Sequence, residues 1–473
     1  MLQIRVILSA AAVLIFLVHA LLTKSNVTLA GNESSRFGTI QALAEQNTFV
    51  MNKTVFGSVD RFVVDGRIYS DKPFMMMVVH AAMYKLLAAA TGISFTGNYR
   101  LSIYLINLFG IGLLNIALFV LFFRRLDRDV EAPFFSKLFF SATLLLSTQL
   151  LTYGICMNNH TPAALVLFIL VLLLMDYPGA PFLRQAFLIG ITAGILFNLE
   201  IPIGGIFGVS AFLVVMTFSG ERNRAPLAGY SAGALLPLAG MCLTNYYAIG
   251  TCLPQYLGAG GTFSPGIADK NFFGYFLDVL FLGRGFFSYM PALLFIVPVV
   301  LLNRKLRKNR LEVTILSTVA AVVLFYGIVT NEYGGWAYGF RYLIPVIPVI
   351  WYFIAREYAP LIRSWRFAVL SVLIFWGLIT SLVGAYNPWC SGYEGSRSPP
   401  NTVDHYIRNT FAANLLCLSF EQNPDSALSR FMIRTVFGGT LAAAYLEESF
   451  TNTENHEQLA TLRHYRRDRQ IFQ

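Results

Sequence analysis

The sequence has few charged residues for its length. Of its 473 residues, 13% are Asp, Glu, Lys or Arg, 56% are hydrophobic and 15% are aromatic, whereas soluble domains carry about 25% charged residues. The mean hydropathy is +0.59. This composition excludes an ordinary soluble domain and predicts a polytopic membrane protein. The net charge of +10 belongs to no separate basic module, so it indicates membrane topology rather than a nucleic-acid partner.

The sequence also lacks the short motifs of well-known catalytic and metal sites. Its five cysteines never occur in CxxC spacing, and HExxH, GxSxG and Walker patterns are missing. The spacing of the cysteines therefore indicates neither a disulfide framework nor a metal cluster. For Cys390 and Cys417 two alternatives stay open, a disulfide between them or two unpaired core residues. No internal repeat is found, which gives no support to an inverted-repeat transporter.

Long apolar stretches recur along the chain, and each must form a helix to satisfy its backbone hydrogen bonds in lipid. They predict an all-α bundle of about eleven transmembrane helices. The expected spans lie near residues 4–22, 101–123, 134–153, 161–176, 183–198, 201–218, 226–248, 286–302, 312–330, 340–355 and 367–386. The first is read as a retained span rather than a signal peptide, since no convincing cleavage site follows it.

The domain organisation follows from these spans. Residues 1–387 form the membrane domain with a long first loop at 23–100, and residues 388–473 form a small C-terminal segment. The run from Phe74 to Ala90 is expected to lie on the membrane interface as an amphipathic helix. The run from Ala427 to Leu446 resembles a twelfth span, but Arg430, Arg434 and the glycine pair at 438 and 439 favour a surface helix.

The distribution of Lys and Arg predicts the orientation. With the N-terminus inside, the inner connectors carry fifteen Lys and Arg residues, whereas the short outer connectors carry Lys270, Arg284 and Arg341 alone. This bias places the first loop and the C-terminal segment outside the cytosol. We expect a bacterial inner-membrane protein whose active site faces the periplasm or the exterior.

The first loop, from Gly31 to Pro73, holds the most prominent polar cluster. Acids alternate there with bases, among them Glu33, Asp60, Asp65 and Asp71 with Arg36, Arg61, Arg67 and Lys72. On the side of the membrane that faces away from the cytosol, Arg67 and Lys72 suit a phosphate at headgroup depth, because charge-assisted hydrogen bonds to phosphate are strong. Cations that merely snorkel to lipid headgroups would give the same pattern.

A second cluster lies between residues 331 and 348. Its glycines allow a tight outer turn, its aromatic residues Trp336, Tyr338 and Tyr342 suit the interface, and Arg341 enters the next span. An arginine at that depth needs an anionic partner. A loop carboxylate and a lipid phosphate are the alternatives, and the surrounding glycines and aromatics favour the phosphate.

Weaker signals lie at other outer helix ends. His160 either orients a substrate or caps its helix, and capping is favoured. Arg284 lies in a segment that either lines a groove or packs against the first loop, and Tyr338 is a further groove candidate.

Four segments, taken in order, resemble the GT-C superfamily of glycosyltransferases that use polyprenyl-phosphate sugars, particularly its protein O-mannosyltransferase and aminoarabinose transferase branch. NESSRFGTIQALAE resembles the acidic motif that opens the first outer loop, and GRIYSDKP resembles the G-x-x-Y-x-x-K-P segment. LGRGFFSYMP and YGFRYLIPVIP are similar to the RGLF-x-x-P and G-x-R-Y-L-x-P-x-x-P segments. The resemblance covers most of residues 1–390 in layout.

The resemblance implies that a sugar is transferred from a lipid-linked donor on the outer face, with inversion at the anomeric carbon. The acceptor would be a glycan, a lipid or a protein. A loop carboxylate would activate the acceptor hydroxyl, with Glu33 as first choice and Asp65 and Asp60 next. Lys72 and Arg341 would stabilise the departing phosphate, and Arg67 and Tyr69 would orient it. The sequence identifies no cofactor, and a divalent metal is left open. The family often has an Asp-Glu pair where this chain has Asn32 and Glu33.

Two other readings remain open. In a transporter or flippase, the same cations would bind the headgroup of a lipid-linked or other anionic lipid without sugar transfer. Acids that lie on one face, rather than at mid-membrane, count against this reading. A non-catalytic scaffold derived from the enzyme fold is the third, and Asn32 in the acidic motif supports it.

Overall fold

The computed structural model describes residues 2–27, 32–58, 60–179, 182–219, 224–254, 272–330, 334–335, 337–390, 409–452 and 455–468. It is helical apart from one short β-hairpin. The α-helices are α1 Leu2–Leu22, α2 Asn32–Gln46, α3 Phe74–Thr91, α4 Tyr99–Asn107, α5 Leu113–Asp129, α6 Phe134–Leu146, α7 Gln149–Tyr153, α8 His160–Asp176, α9 Leu183–Leu199, α10 Ile201–Ser219, α11 Ala225–Ile249, α12 Phe272–Phe281, α13 Phe286–Tyr289, α14 Ile296–Leu302, α15 Arg304–Lys308, α16 Arg310–Val329, α17 Ile347–Tyr358, α18 Trp365–Tyr386, α19 Thr410–Gln422, α20 Ala427–Phe431, α21 Gly439–Asn452 and α22 His456–Asp468.

Shorter helical segments join several of these helices. The 3₁₀ segments are Tyr177–Gly179, Pro291–Phe295, Arg341–Val346 and Ala359–Leu361, and π-helical turns occur at Leu108–Gly112 and Met432–Phe437. Strands β1, Arg61–Val64, and β2, Arg67–Ser70, pair antiparallel with Val64 opposite Arg67. Asp65 and Gly66 form the turn between them with positive φ angles of 49° and 73°, as a two-residue type I′ hairpin turn requires.

The predicted all-α polytopic membrane fold is confirmed. Among the described residues, seven helices are long and apolar enough to cross a membrane, or eight if one bent pair forms a single span. Three further apolar helices are shorter: Val6–Leu22, Phe134–Leu146 and Leu183–Leu199. The total of eleven spans therefore stays a prediction. Phe74–Thr91 meets the criteria of length and hydropathy for a span, so its interfacial placement also stays a prediction.

Three expected spans are not continuous helices. The stretch 134–153 breaks after Leu146, because Thr148 adopts an extended conformation and caps the next short helix through the N–H of Leu150. The stretch 286–302 belongs to a pair of helices bent by 94° around Pro291, a residue that lacks the N–H of a continuous helix. The stretch 340–355 begins as a 3₁₀ segment containing Pro345 and becomes α-helical at Ile347.

The first loop folds against one end of the bundle. Helix α2 has eleven buried residues, and its apolar side chains Phe37 and Ile40 belong to a separate hydrophobic cluster with Phe56, Phe74 and Tyr84. A helix this polar is buried all round because it packs between α3 and the hairpin. The loop is therefore a folded cap that holds polar residues in fixed positions.

The C-terminal segment has its own hydrophobic cluster, which includes Leu416, Phe420, Ile433 and Leu446. It is anchored to the end of α18, where the Asn414 side chain donates to the carbonyls of Val383 and Asn387 at 3.1 and 3.0 Å. The run 427–446 is broken at Gly438, whose φ is +78°, and it is not among the candidate spans. The boundary between 387 and 388 stays a prediction.

The five cysteines are all free. Cys390 Sγ lies 3.1 Å from the Tyr445 hydroxyl, and Cys417 Sγ lies 3.3 Å from Ser449 Oγ. The open choice for Cys390 and Cys417 is thus resolved in this structure in favour of two unpaired core residues.

Helices α9 and α11 pack with their backbones in close contact, because glycines face each other across the pair. A Cβ atom built on Gly190 would lie 2.1 Å from the carbonyl oxygen of Tyr230. We expect Gly190→Ala to lower the free energy of unfolding by about 1–3 kcal/mol through overpacking. Thermal unfolding of the purified protein in detergent would measure the change.

The matched control is Gly205→Ala on α10, where the added Cβ would meet only a Phe197 ring atom at 3.7 Å. Both substitutions exchange the same residue types inside a helix, so the gain in helix propensity is shared. Equal melting temperatures of the two variants would contradict the proposed close contact.

Candidate functional site

The first turn of α2 carries the acid at the centre of the site. Glu33 is 1% exposed, and its Oε1 accepts a hydrogen bond of 3.1 Å from the backbone N–H of Met157, in the link between α7 and α8. The positive end of the α2 dipole also lies at this turn, which favours a negative charge there. The Met157 N–H therefore holds the carboxyl group against the link between α7 and α8.

Burial raises the pKa of Glu33 from its ordinary value of 4.5 to about 7, because removal from water disfavours the charged form. The Met157 N–H, the Trp389 indole and the positive charges of Lys24 and Arg36 act in the opposite direction but do not offset the burial. A carboxylate with a pKa near neutrality is suited to accept a proton from a substrate at neutral pH.

Two cavities lie on either side of this turn. Glu33 lines the larger one, of about 280 Å³. Its neighbour Asn32 lines the smaller one, of about 110 Å³. The first turn of α2 thus presents a polar side chain to each of the two cavities.

The smaller cavity is lined by three cations that come from distant parts of the chain: Arg36 on α2, Lys72 after the hairpin and Arg341 at the start of its 3₁₀ segment. Two of them are predicted phosphate-binding residues, so the structure brings Lys72 and Arg341 together. Lys72 Nζ is paired with Asp60 and Asp71 at 2.9 and 3.1 Å.

Arg36 and Arg341 lack such pairing with described acids. Arg36 is buried and donates to the backbone oxygen of Asn32 at 3.2 Å and to Asn159 Oδ1 at 2.5 Å. Burial, and next the charge of Arg341, lower the pKa of Arg36 to about 10. The guanidinium of Arg341 lies 5.2 Å from the Trp389 ring centre, and its Nε–H is buried without a hydrogen-bond partner. Two neighbouring buried cations indicate a site for an anion.

The opposite wall of the smaller cavity is a hydrogen-bonded set at the start of α8. His160 Nδ1 contacts the carboxylate of Glu200, which also accepts from Asn159 Nδ2 at 2.6 Å. The capping expected of His160 is performed instead by Asn158, whose Oδ1 accepts from the N–H of Thr161. His160 lines the smaller cavity, and its role as a groove residue stays a prediction.

The other predicted site residues lie elsewhere. Asp65 and Arg67 are exposed at the hairpin turn, whereas Tyr69 is buried and stacks on Phe62. Arg284 is buried and donates to the carbonyl of Ala337.

Tyr338 is also buried, and its hydroxyl donates to the carbonyl of Thr380 at 2.7 Å. Neither Arg284 nor Tyr338 lines the two cavities. Trp336, expected at the interface, lies outside the described residues.

Sequence reasoning missed several residues that the fold places at the site. Arg36 was counted only as one charge of the loop, and Lys24, Trp389 and Glu421 were not identified as site residues. Their signal in the sequence is weak, because the groups that each of them contacts lie on another element or hundreds of residues away. In the described ranges, no three His, Cys, Asp or Glu side chains are grouped closely enough to hold a metal ion.

The raised pKa of Glu33 predicts a pH-dependent stability. Between about pH 4.5 and 7 the folded protein keeps a proton on Glu33 that the unfolded chain has lost. The contribution of Glu33 to the free energy of unfolding therefore falls as the pH rises through this window, by roughly 3 kcal/mol at 1.36 kcal/mol per pKa unit. We expect Glu33→Gln, which keeps an acceptor for Met157 but cannot ionise, to remove this contribution.

Unfolding of the wild type and the variant in detergent, followed across this pH window, would measure the difference. Asp65→Asn, at the exposed hairpin turn, is the control and should retain the pH dependence of the wild type. Parallel pH profiles for the wild type and Glu33→Gln would contradict the assignment.

Comparison with known proteins finds a solved structure with a similar fold. No protein-family model matches the chain, and no curated protein matches its sequence. The chain is similar in structure to ArnT from Cupriavidus metallidurans, solved in a crystal structure bound to undecaprenyl phosphate. The TM-score is 0.51 at 15% sequence identity, over 97% of this chain and 76% of ArnT. This similarity shows that the chain shares the fold of ArnT, and its apolar helices support a multi-pass integral membrane protein.

Proposed function

We propose that this protein is an inverting glycosyltransferase that moves a sugar from a polyprenyl-phosphate donor to an acceptor hydroxyl on the outer face of the membrane. The observation that carries the proposal is the position of Glu33. It is a buried carboxyl group with a pKa of about 7, next to a cavity that holds three cations. The similar fold of ArnT bound to undecaprenyl phosphate supports a lipid-phosphate donor.

The smaller cavity is the proposed site of the donor phosphate. Lys72 is already paired with Asp60 and Asp71, so the charge that a phosphate would neutralise belongs mainly to Arg36 and Arg341. Relief of the repulsion between these two guanidinium groups supplies binding energy in addition to the hydrogen bonds. Tyr342, beside Arg341, and Leu199 also line this cavity and suit the lipid end of a donor.

Glu33 is the best placed of the three candidate bases. The Asp60 carboxylate is bound to Lys72, and Asp65 is exposed at the hairpin turn. In the proposed reaction the acceptor hydroxyl gives its proton to Glu33 while the hydroxyl oxygen attacks the anomeric carbon of the donor sugar. The bond from that carbon to the phosphate oxygen breaks, and its electron pair leaves with the phosphate, whose added charge the cations stabilise.

Variants of the two cavities test this assignment. We expect Glu33→Gln to lower kcat by about 10²–10⁴-fold while donor binding persists, because general-base help is lost. Lys72→Ala and Arg341→Ala should weaken donor binding by about tenfold or more, since each removes hydrogen bonds to a charged group. The measurements are binding and transfer of a labelled polyprenyl-phosphate sugar in the presence of a membrane extract as acceptor.

Arg67→Ala is the matched control, because it removes a cation of the same loop at an exposed position. It should leave binding and transfer at the wild-type level. Donor binding without any transfer, accompanied by translocation of the lipid in liposomes, would replace the glycosyltransferase with a flippase.

The pH dependence provides a separate test. Because Glu33 acts as a base only when ionised, we expect kcat/KM for transfer to rise with pH and to level off above about 7. Glu33→Asp should retain a pH-dependent residual rate, whereas the residual rate of Glu33→Gln should lose this rise. A wild-type profile that is flat between about pH 5.5 and 8 would assign the base to another group.

A further inference from the structure

The larger cavity is built by three separate parts of the chain. Lys24, Asn26 and Glu33 come from the first loop, and residues 386–389 come from the end of α18. Glu421, on α19, and Asn455, just before α22, come from the C-terminal segment. The C-terminal segment therefore contributes polar side chains to the same cavity as the buried carboxyl group of Glu33.

The polar groups of this cavity are balanced in charge, in contrast to the cations of the smaller cavity. Two bases, Lys24 and Arg100, face two acids, Glu33 and Glu421. Lys24 Nζ donates to the backbone oxygen of Tyr386 at 2.7 Å. The remaining polar lining consists mainly of the side-chain amides of Asn26, Asn387 and Asn455. Such a lining offers donors and acceptors to hydroxyl groups but little net charge to a phosphate.

The Glu421 carboxylate is held in place within the C-terminal segment. Its Oε1 accepts from Asn455 Nδ2 at 2.7 Å, and the backbone N–H of Asn455 donates to the carbonyl of Phe450 at 2.8 Å. Glu421 also interacts with the hydroxyl of Tyr386. A partly buried carboxylate that is fixed by two neighbours is preorganised to accept a hydrogen bond from a ligand.

The cavity also has aromatic walls. Tyr386 and Trp389 line it, and the Trp389 ring also contacts the guanidinium of Arg341, which lines the smaller cavity. Aromatic faces next to amides and carboxylates suit a sugar ring, which is apolar on its faces and carries hydroxyls around its edge. An extended peptide is recognised instead through main-chain hydrogen bonds along a strand edge or groove.

We propose that the larger cavity binds a neutral saccharide as the acceptor, and that Glu421 and Asn455 of the C-terminal segment determine its specificity. This inference rests on the proposed glycosyl transfer. The reacting hydroxyl lies against Glu33, while Glu421 accepts a hydrogen bond from another hydroxyl of the same sugar. Asn455 is a positioning residue that orients the Glu421 carboxylate.

The experiment separates the donor from the acceptor. Purified full-length protein in nanodiscs is given a labelled polyprenyl-phosphate sugar, first alone, to measure donor binding and hydrolysis by water. It is then given three acceptor probes: a panel of neutral hexose and N-acetylhexosamine glycosides, a peptide rich in Ser and Thr, and a phosphorylated glycolipid. We expect transfer to at least one neutral glycoside, and neither of the other two probes to be used.

For the neutral acceptor, Glu421→Gln should raise KM by about tenfold or more, the effect of losing a hydrogen bond to a charged group, with kcat within about twofold of wild type and donor binding unchanged. Glu421→Asp should restore part of the affinity. Glu457→Gln, an exposed acid on α22 close in sequence to Asn455, is the control and should behave as wild type. Should Glu421→Gln fail to fold, Asn455→Ser, which retains a helix-capping oxygen, should also raise KM.

The outcomes distinguish this inference from the proposed function. Absence of donor binding and hydrolysis in the wild type would overturn the glycosyltransferase itself, and the acceptor site with it. Donor hydrolysis with transfer only to the peptide, only to the phosphorylated glycolipid or to none of the probes would overturn the saccharide site alone. A KM for the neutral glycoside that is unchanged in both Glu421→Gln and Asn455→Ser would remove the C-terminal segment from acceptor recognition.

Discussion

The burial of a polar helix turn is the constraint on which the rest of the structure depends. Asn32, Glu33 and Arg36 are buried near the start of α2, where a polar group without a hydrogen-bond partner is costly. The partners come from other elements: the N–H of Met157 for Glu33 and the side chain of Asn159 for Arg36. The start of α8 and the first loop are thereby fixed relative to each other, and the two cavities are the spaces that this junction leaves.

Electrostatic balance differs between the two cavities, and the difference gives each a distinct chemistry. In the smaller cavity the charge of Lys72 is compensated by Asp60 and Asp71, whereas burial, and next the charge of Arg341, lower the pKa of Arg36. An anion placed there removes a repulsion that the fold maintains. In the larger cavity acids and bases are equal in number, so selection among ligands rests on hydrogen-bond geometry rather than on net charge.

The sequence allowed much of the fold and part of the site to be predicted. Hydropathy predicted the membrane bundle, and motif resemblance drew attention to Glu33, Lys72 and Arg341, which line the two cavities, because those signals are local in the chain. Hydropathy did not show that Pro291 and Pro345 interrupt expected spans, since both prolines lie in stretches as apolar as a continuous helix. Residues such as Trp389 acquire their place at the site only through contacts between distant segments, which a single sequence does not encode locally.

The C-terminal segment contributes side chains to the larger cavity that the candidate membrane spans do not provide. Asn414 ties α19 to the end of α18 through the carbonyls of Val383 and Asn387, and the same helix carries Glu421 to the larger cavity. A carboxylate on a free tail would lose conformational entropy on each binding event. Because Asn414 docks the segment when the protein folds, this entropy is lost on folding and not on binding. Glu421, far along the chain, can therefore act with Glu33 on one ligand in the proposed acceptor site.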